Sequence, residues 1–220
     1  MADIALYGAT GMIGQRILKE ALSRGHKVTA IVRDVTKAPQ KAPNLDIKPG
    51  DILKAESVAA AVAGNSVVVS SFGPRGGDPR EYLTAIRALM EGIQAAKETT
   101  GKPIRLIFVG GASSLEIAPG VILLDSPNFP AAWKPAASAS REVLGILRSE
   151  GTAAGLDWTY FSPATFIQPG ERTGKFRLGT DQLVVDSKGE SRISCEDYAV
   201  ALVDEIEKPQ FLGRRFTAAY

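Results

Sequence analysis

A chain of 220 residues, 45% hydrophobic and 23% charged, is long enough for a self-standing core and has the composition of an ordinary globular protein. Its formal net charge of +2, with the basic residues scattered, argues against nucleic acid or an anionic membrane surface as a partner. One cysteine, Cys195, and one histidine, His26, exclude an internal disulfide and a multi-histidine metal site, and a nucleophilic triad would need His26 itself. No metal is expected.

The predicted elements alternate. DIALY (3–7) reads as a short buried strand, and IGQRILKEALSRG (13–25) as a helix with apolar residues at 13, 17, 18, 21 and 22. His26 follows in a turn and is expected to be exposed. KVTAIV (27–32) is a β-branched strand and LDIKPG (45–50) a short one. LKAESVAAAVAG (53–64) is an alanine-rich helix, SVVVSS (66–71) a buried strand and REYLTAIRALMEGIQAAKET (80–99) a long helix. IRLIFVG (104–110) is another buried strand. The stretch 113–137 carries four prolines and reads as a loop over the site. SASREVLGILRSEG (138–151) is a helix, followed by the strand DWTYFS (157–162). QLVVD (182–186) and RRFTAAY (214–220) read as strands. SCEDYAVALVDEIEK (194–208) reads as a helix capped by Ser194.

Strands apolar on both faces, alternating with amphipathic helices, imply a doubly wound α/β fold with a mainly parallel sheet and helices on both faces. No linker or internal repeat appears, so one domain over 1–220 is expected, with irregular substrate-side regions around 113–137 and 163–195. The chain enters a strand at Asp3 without a basic-then-apolar leader, and no run of about 18 apolar residues occurs. The expected location is the cytoplasm, away from any membrane.

YGATGMIGQRI places Gly8, Gly11 and Gly14 between the first strand and the first helix. Gly8 permits the sharp turn, Gly11 lets a pyrophosphate approach the backbone, and Gly14 lets helix and strand pack closely. The N–H groups near Met12 and Ile13 open the helix and favour an anion, and Thr10 can add a hydroxyl. This is the dinucleotide grip of a Rossmann fold.

The same residues resemble the atypical short-chain dehydrogenase/reductase superfamily, which carries this spacing with Ala-Thr inside it. IVRD after the second strand, GD at 50–51, GLDWTYFSPA at 155–164 and PGERTGKFRLG at 169–179 extend the resemblance across nearly the whole chain. They are similar to the NAD(P)H-binding branch of flavin-reductase, biliverdin-reductase and NmrA-like proteins. The resemblance implies that Asp51 and Ile52 lie along the adenine, and that Ser71, Phe72 and Gly73 line the ribose and pyrophosphate. It also implies that Pro163, Ala164 and Phe166 border the nicotinamide. Arg75, in the loop after Gly73, can reach a phosphate or an anionic substrate, or stand in solvent.

Arginine comes first at the end of the second strand, as Arg33-Asp34, with Lys37 nearby. An arginine there attracts a ribose 2′-phosphate and a carboxylate repels it, so NADP(H) is preferred over NAD(H). Asp34 either pairs with Arg33 or takes the ribose itself.

Most short-chain dehydrogenases use a tyrosine whose acidity is raised by a lysine four residues on. Here the residues four after Tyr7, Tyr82, Tyr160 and Tyr198 are Gly11, Ile86, Ala164 and Leu202, and Tyr220 ends the sequence. The pair is absent. By the resemblance its positions fall near Trp133 or Lys134, and near Ala137 or Ser138. A flavin or quinone takes hydride at a ring atom and needs little protein acid. By the resemblance Ser113 falls where the superfamily carries a substrate-side serine, and Lys134 is a second candidate proton donor. Trp133 can stack on a planar ring or anchor the loop. The expected function is an NAD(P)H-dependent reductase of a small planar acceptor. The alternative is an NADP(H) sensor of NmrA-like type that binds without turnover.

Overall fold

The computed structural model describes residues 1–73 and 78–220. In chain order they form β1 (Asp3–Tyr7), α1 (Gly14–Ser23), β2 (Lys27–Val32), β3 (Leu45–Pro49), α2 (Ala55–Val62), β4 (Val67–Ser70), α3 (Glu81–Thr100) and β5 (Arg105–Val109). There follow β6 (Glu116–Ala118), β7 (Val121–Ile122), α4 (Lys134–Ile146), β8 (Asp157–Ser162), β9 (Phe166–Gln168), β10 (Arg177–Gly179), β11 (Arg192–Ser194), α5 (Cys195–Glu207) and β12 (Arg214–Ala219).

Eight strands make one sheet in the order β10-β12-β8-β5-β4-β1-β2-β3, parallel except for β10, which runs antiparallel to β12. The winding reverses between β1 and β4. That is the switch point of a Rossmann fold, where ligands bind beyond the carboxyl ends of the strands. β4 and β5 are buried along their whole length. Their alternate residues feed two cores. Ile4, Leu6, Val69 and Phe216 pack against Ile17 of α1 and Leu202 of α5. Ala5, Val68 and Trp158 pack on the other face against Val58 of α2, Leu89 of α3 and Val143 of α4. Both faces are thus covered by helices, as the apolar strands require.

Four expectations are corrected. No strand forms over 182–186: Gln182 makes a single bridge to Glu116, and Asp186 is drawn into a turn with Glu190. Val184 packs on the α1/α5 core, so the apolar pattern reflects burial without pairing. Short strands form instead at β9, β10 and β11, where the three-residue segments were too short to show a period. The stretch 113–137 is not all loop, since β6 and β7 pair as a hairpin within it. The helix expected from Ser138 begins at Lys134, with Pro135 in its first turn, where a missing N–H costs nothing. It gives way at Leu147 to a wider π-type turn ending at Gly151.

His26 is buried rather than exposed. Its Nδ1 accepts the Ala2 N–H at 3.0 Å, and its Nε2 lies 3.0 Å from Glu207 Oε1. The turn that holds it is closed over by the start of the chain and the end of α5. The histidine is therefore structural and lies away from the switch point.

Candidate dinucleotide site

The turn between β1 and α1 is built by steric exclusion. Gly8 has φ +77°, and a Cβ there would stand 2.4 Å from the Ser71 carbonyl oxygen. A Cβ on Gly14 would stand 2.0 Å from the Gly8 oxygen. Both contacts are with backbone, which cannot swing aside. Gly11 differs. Its added Cβ would meet only the Gly8 oxygen, at 3.2 Å, so its glycine is not demanded by the protein's own packing to the same degree.

The hydrogen bonds of the turn leave donors over. Gly11 N–H donates to Gly8 O at 2.9 Å, and Gln15 N–H donates to Gly11 O at 3.0 Å. The N–H groups of Thr10, Met12 and Ile13 find no acceptor among the described residues. No side chain caps α1 at Ile13. Orphan donors at the start of a 10-residue helix make a site for an anion, and the residues present fit a pyrophosphate.

The flanking strand ends add the remaining parts. Arg33 is exposed just past β2, and it enters no hydrogen bond or ion pair among the described residues. Asp34 does not pair with it. Its carboxylate accepts Thr36 N–H at 3.0 Å and Thr36 Oγ1–H at 2.6 Å, with Lys37 Nζ at 3.8 Å. These contacts hold the Asp34 carboxyl below the usual range. Past β3, Asp51 Oδ1 accepts Leu53 N–H at 3.0 Å, and Ile52 is buried. Past β4, the Ser71 carbonyl rests against Gly8, and Phe72 meets Tyr82 edge to face at 6.1 Å. Gly73 is exposed, and Arg75 lies outside the described residues.

The other side of the switch point is made of side chains. Ser113 sits in a tight turn after β5, is buried, and donates from Oγ to the Ala137 carbonyl at 3.3 Å. Behind it Tyr160 bonds Ser140 Oγ at 2.8 Å and accepts Gly111 N–H at 3.2 Å. Gly110 is the space that ring needs, since a Cβ there would stand 2.0 Å from Tyr160 Cζ. Arg215, buried on β12, donates to Ser114 Oγ at 3.0 Å and also holds Asp181. The sequence reading missed this support. Tyr160, Ser140 and Arg215 are separated by tens of residues and carry no local pattern that links them.

Pro163 is buried at the end of β8, and Phe166, in β9, is 65% exposed. Trp133 is also 65% exposed, just before α4. Lys134 is exposed at the start of α4. It shares a face of α4 with Ser138 and Arg141, away from the buried Ala139, Ser140 and Val143. That face lines a groove of about 670 Å³ with Leu124 and Asp125. Every tyrosine is a weaker acid than usual: burial pushes the hydroxyls of Tyr7, Tyr82, Tyr160, Tyr198 and Tyr220 upward. Among the described residues no group of three or more His, Cys, Asp or Glu side chains is placed to hold a metal ion. Among the described residues no helix is long and apolar enough to cross a membrane.

Comparison with known proteins shows the family. The chain is 40% identical to the uncharacterised Bacillus subtilis protein YwnB over 217 residues, 97% of this chain and 96% of that one. A solved Burkholderia pseudomallei structure, provisionally described as an exported protein, is 46% identical with a TM-score of 0.87 over the whole of both chains. A Streptococcus pneumoniae structure, provisionally named an NADH-flavin reductase, is 34% identical with a TM-score of 0.85, covering 100% of this chain and 99% of that one. The model of the family described as NAD(P)H-binding matches residues 8–209, from the first glycine of the turn to the end of α5 and beyond. On that match the chain belongs to the NAD(P)H-binding family.

Proposed function

We propose that this protein is an NADP(H)-preferring reductase of a flavin, quinone or similar planar acceptor, and that it works without a protein acid. The observation that carries this reading is the contrast across the switch point. The glycine turn offers unclaimed N–H donors, while no tyrosine is placed or tuned to give a proton near neutrality. When bound, the reduced nicotinamide supplies a hydride. Met12 and Ile13 hold the pyrophosphate through backbone N–H groups, Thr10 adds its hydroxyl, and Arg33 takes the 2′-phosphate. Pro163 and Phe166 border the nicotinamide, and Trp133 offers a ring face to the acceptor. Ser113 orients the acceptor from the wall of the site. Its buried hydroxyl can exchange the Ala137 carbonyl for a substrate atom. A conjugated acceptor takes its proton from water, so proximity and orientation of two rings are what the protein contributes. Lys134 has no part in this reading. The cytoplasm, where reduced dinucleotide is available, is the proposed location.

The test is a calorimetric titration with NADPH and with NADH. Nicotinamide absorbance is then followed after addition of FMN, riboflavin or a quinone. Tighter binding of NADPH and steady loss of absorbance with one acceptor class are expected. Binding with no loss across the panel would favour the non-catalytic sensor.

A further inference from the structure

Residues 168–175 run from the end of β9 across the surface, without regular structure after Gln168, and every one of them is exposed. No apolar burial holds this segment. Polar ties to two helices do. Arg172 grips Glu20 of α1 with two bonds of 2.8 and 2.7 Å. Gly174 N–H and Thr173 Oγ1 donate to Asp197 in the first turn of α5, at 2.7 and 2.5 Å. Ser194 Oγ donates to the Glu171 carbonyl at 2.7 Å.

One tie reaches the glycine turn. Gly170 N–H donates to Glu196 Oε2 at 2.7 Å, and Arg16 Nε donates to Glu196 Oε1 at 3.0 Å. Arg16 Nη1 then donates to the Met12 carbonyl at 3.0 Å. The side chains of Arg16 and Glu196 are each 23% exposed, so the pair is partly shielded from water. The Met12 carbonyl and the Ile13 N–H are the two ends of one peptide unit. An anion accepting from that N–H polarises the carbonyl and strengthens the bond from Arg16. The segment at the other end leads directly back to Phe166.

We propose that Arg16 and Glu196 are positioning residues that couple the dinucleotide turn to the 168–175 segment. Pyrophosphate at the turn tightens the segment, and the segment in return raises affinity for the cofactor, because such coupling is reciprocal. The inference rests on the cofactor reading above and extends it to the acceptor side.

Hydrogen exchange with mass readout, with and without saturating NADPH, tests it on the intact protein. In the wild type NADPH should slow exchange in both the 8–14 turn and the 168–175 segment. Arg16→Ala should keep protection at the turn and lose it in the segment, with NADPH bound about five- to tenfold more weakly. Arg16→Lys, which keeps the charge but not the two-donor bridge, should restore little. Glu196→Ala should match Arg16→Ala, and the double variant should be no worse than either. Equal protection of the segment in the wild type and Arg16→Ala overturns the coupling. So does calorimetric binding of NADPH to the wild type with no change in the segment. Absence of any dinucleotide binding in a folded wild type overturns the cofactor reading, and the coupling with it.

Discussion

At the β1–α1 turn the unclaimed groups are mainly backbone N–H donors, and three glycines keep the backbone open. On the side proposed for the acceptor they are side chains, and each is held in place: Ser113 by the Ala137 carbonyl, Ser114 by Arg215, Tyr160 by Ser140. The first arrangement is local, spanning residues 8–14 of one βα unit. The second gathers the turn after β5 with residues of α4, β8 and β12. A backbone site needs only the right conformation, which glycine spacing writes into the sequence. A side-chain site needs a tertiary structure to bring its parts together, and it can change its chemistry without changing the fold.

The sharpest way to break this comparison is to add one methyl group at the turn. Gly14→Ala drives a Cβ into the Gly8 carbonyl, and it should cost roughly 3 kcal/mol or more in urea unfolding, since neither backbone can yield. Gly11→Val should separate ligand from fold. Its unfolding midpoint should stay near that of the wild type, while calorimetry shows NADPH affinity lower by about a hundredfold or more. If Gly11→Val binds NADPH as tightly as the wild type, the turn is packing alone.

A smaller effect is expected at Arg33. Arg33→Ala should weaken NADPH by about tenfold or more, the worth of a charge-assisted phosphate contact, and leave NADH within about twofold. Equal losses for the two cofactors would remove the 2′-phosphate from the account.

On the acceptor side the effects should be smaller again and should appear in KM. Trp133→Ala should raise the acceptor KM by up to about tenfold, in line with the loss of one aromatic contact, with no change in melting temperature. Lys134→Ala, at the exposed start of α4, should leave turnover within about twofold. A large loss of kcat in Lys134→Ala, with none in Ser113→Ala, would move the proton donor to Lys134.

The smallest expected effect concerns acid. Arg172, and then Arg24, hold the Glu20 carboxyl below its ordinary value of 4.5 by hydrogen bonding to the charged form, against the burial that opposes it. The folded pKa is depressed, so this stabilisation is fully present above about pH 4.5 and is lost as pH falls through the lower folded value. Glu20→Gln should flatten stability against pH below 4.5, as read by melting temperature across an acid series. An unchanged acid slope would show that the Arg172 tie contributes nothing measurable.

The sequence by itself determined the Rossmann order through β8, the glycine turn and its donors, and the missing Tyr-x-x-x-Lys pair. Each of these is local: a period of two or 3.6, a three-residue glycine spacing, or a count of residues after a tyrosine. Ser194 capping α5 was legible for the same reason, since its Oγ and the Asp197 N–H are three residues apart. Only the tertiary structure decided that His26 is buried, that 182–186 forms a single bridge and no strand, and that Lys134 shares an exposed groove with Ser138 and Arg141. It alone tied residues 168–175 to the dinucleotide turn through Arg16 and Glu196, which lie 180 residues apart. Those outcomes depend on which segments meet in space. An ion pair, or a strand without a partner, leaves no periodicity along the chain for a reader to find.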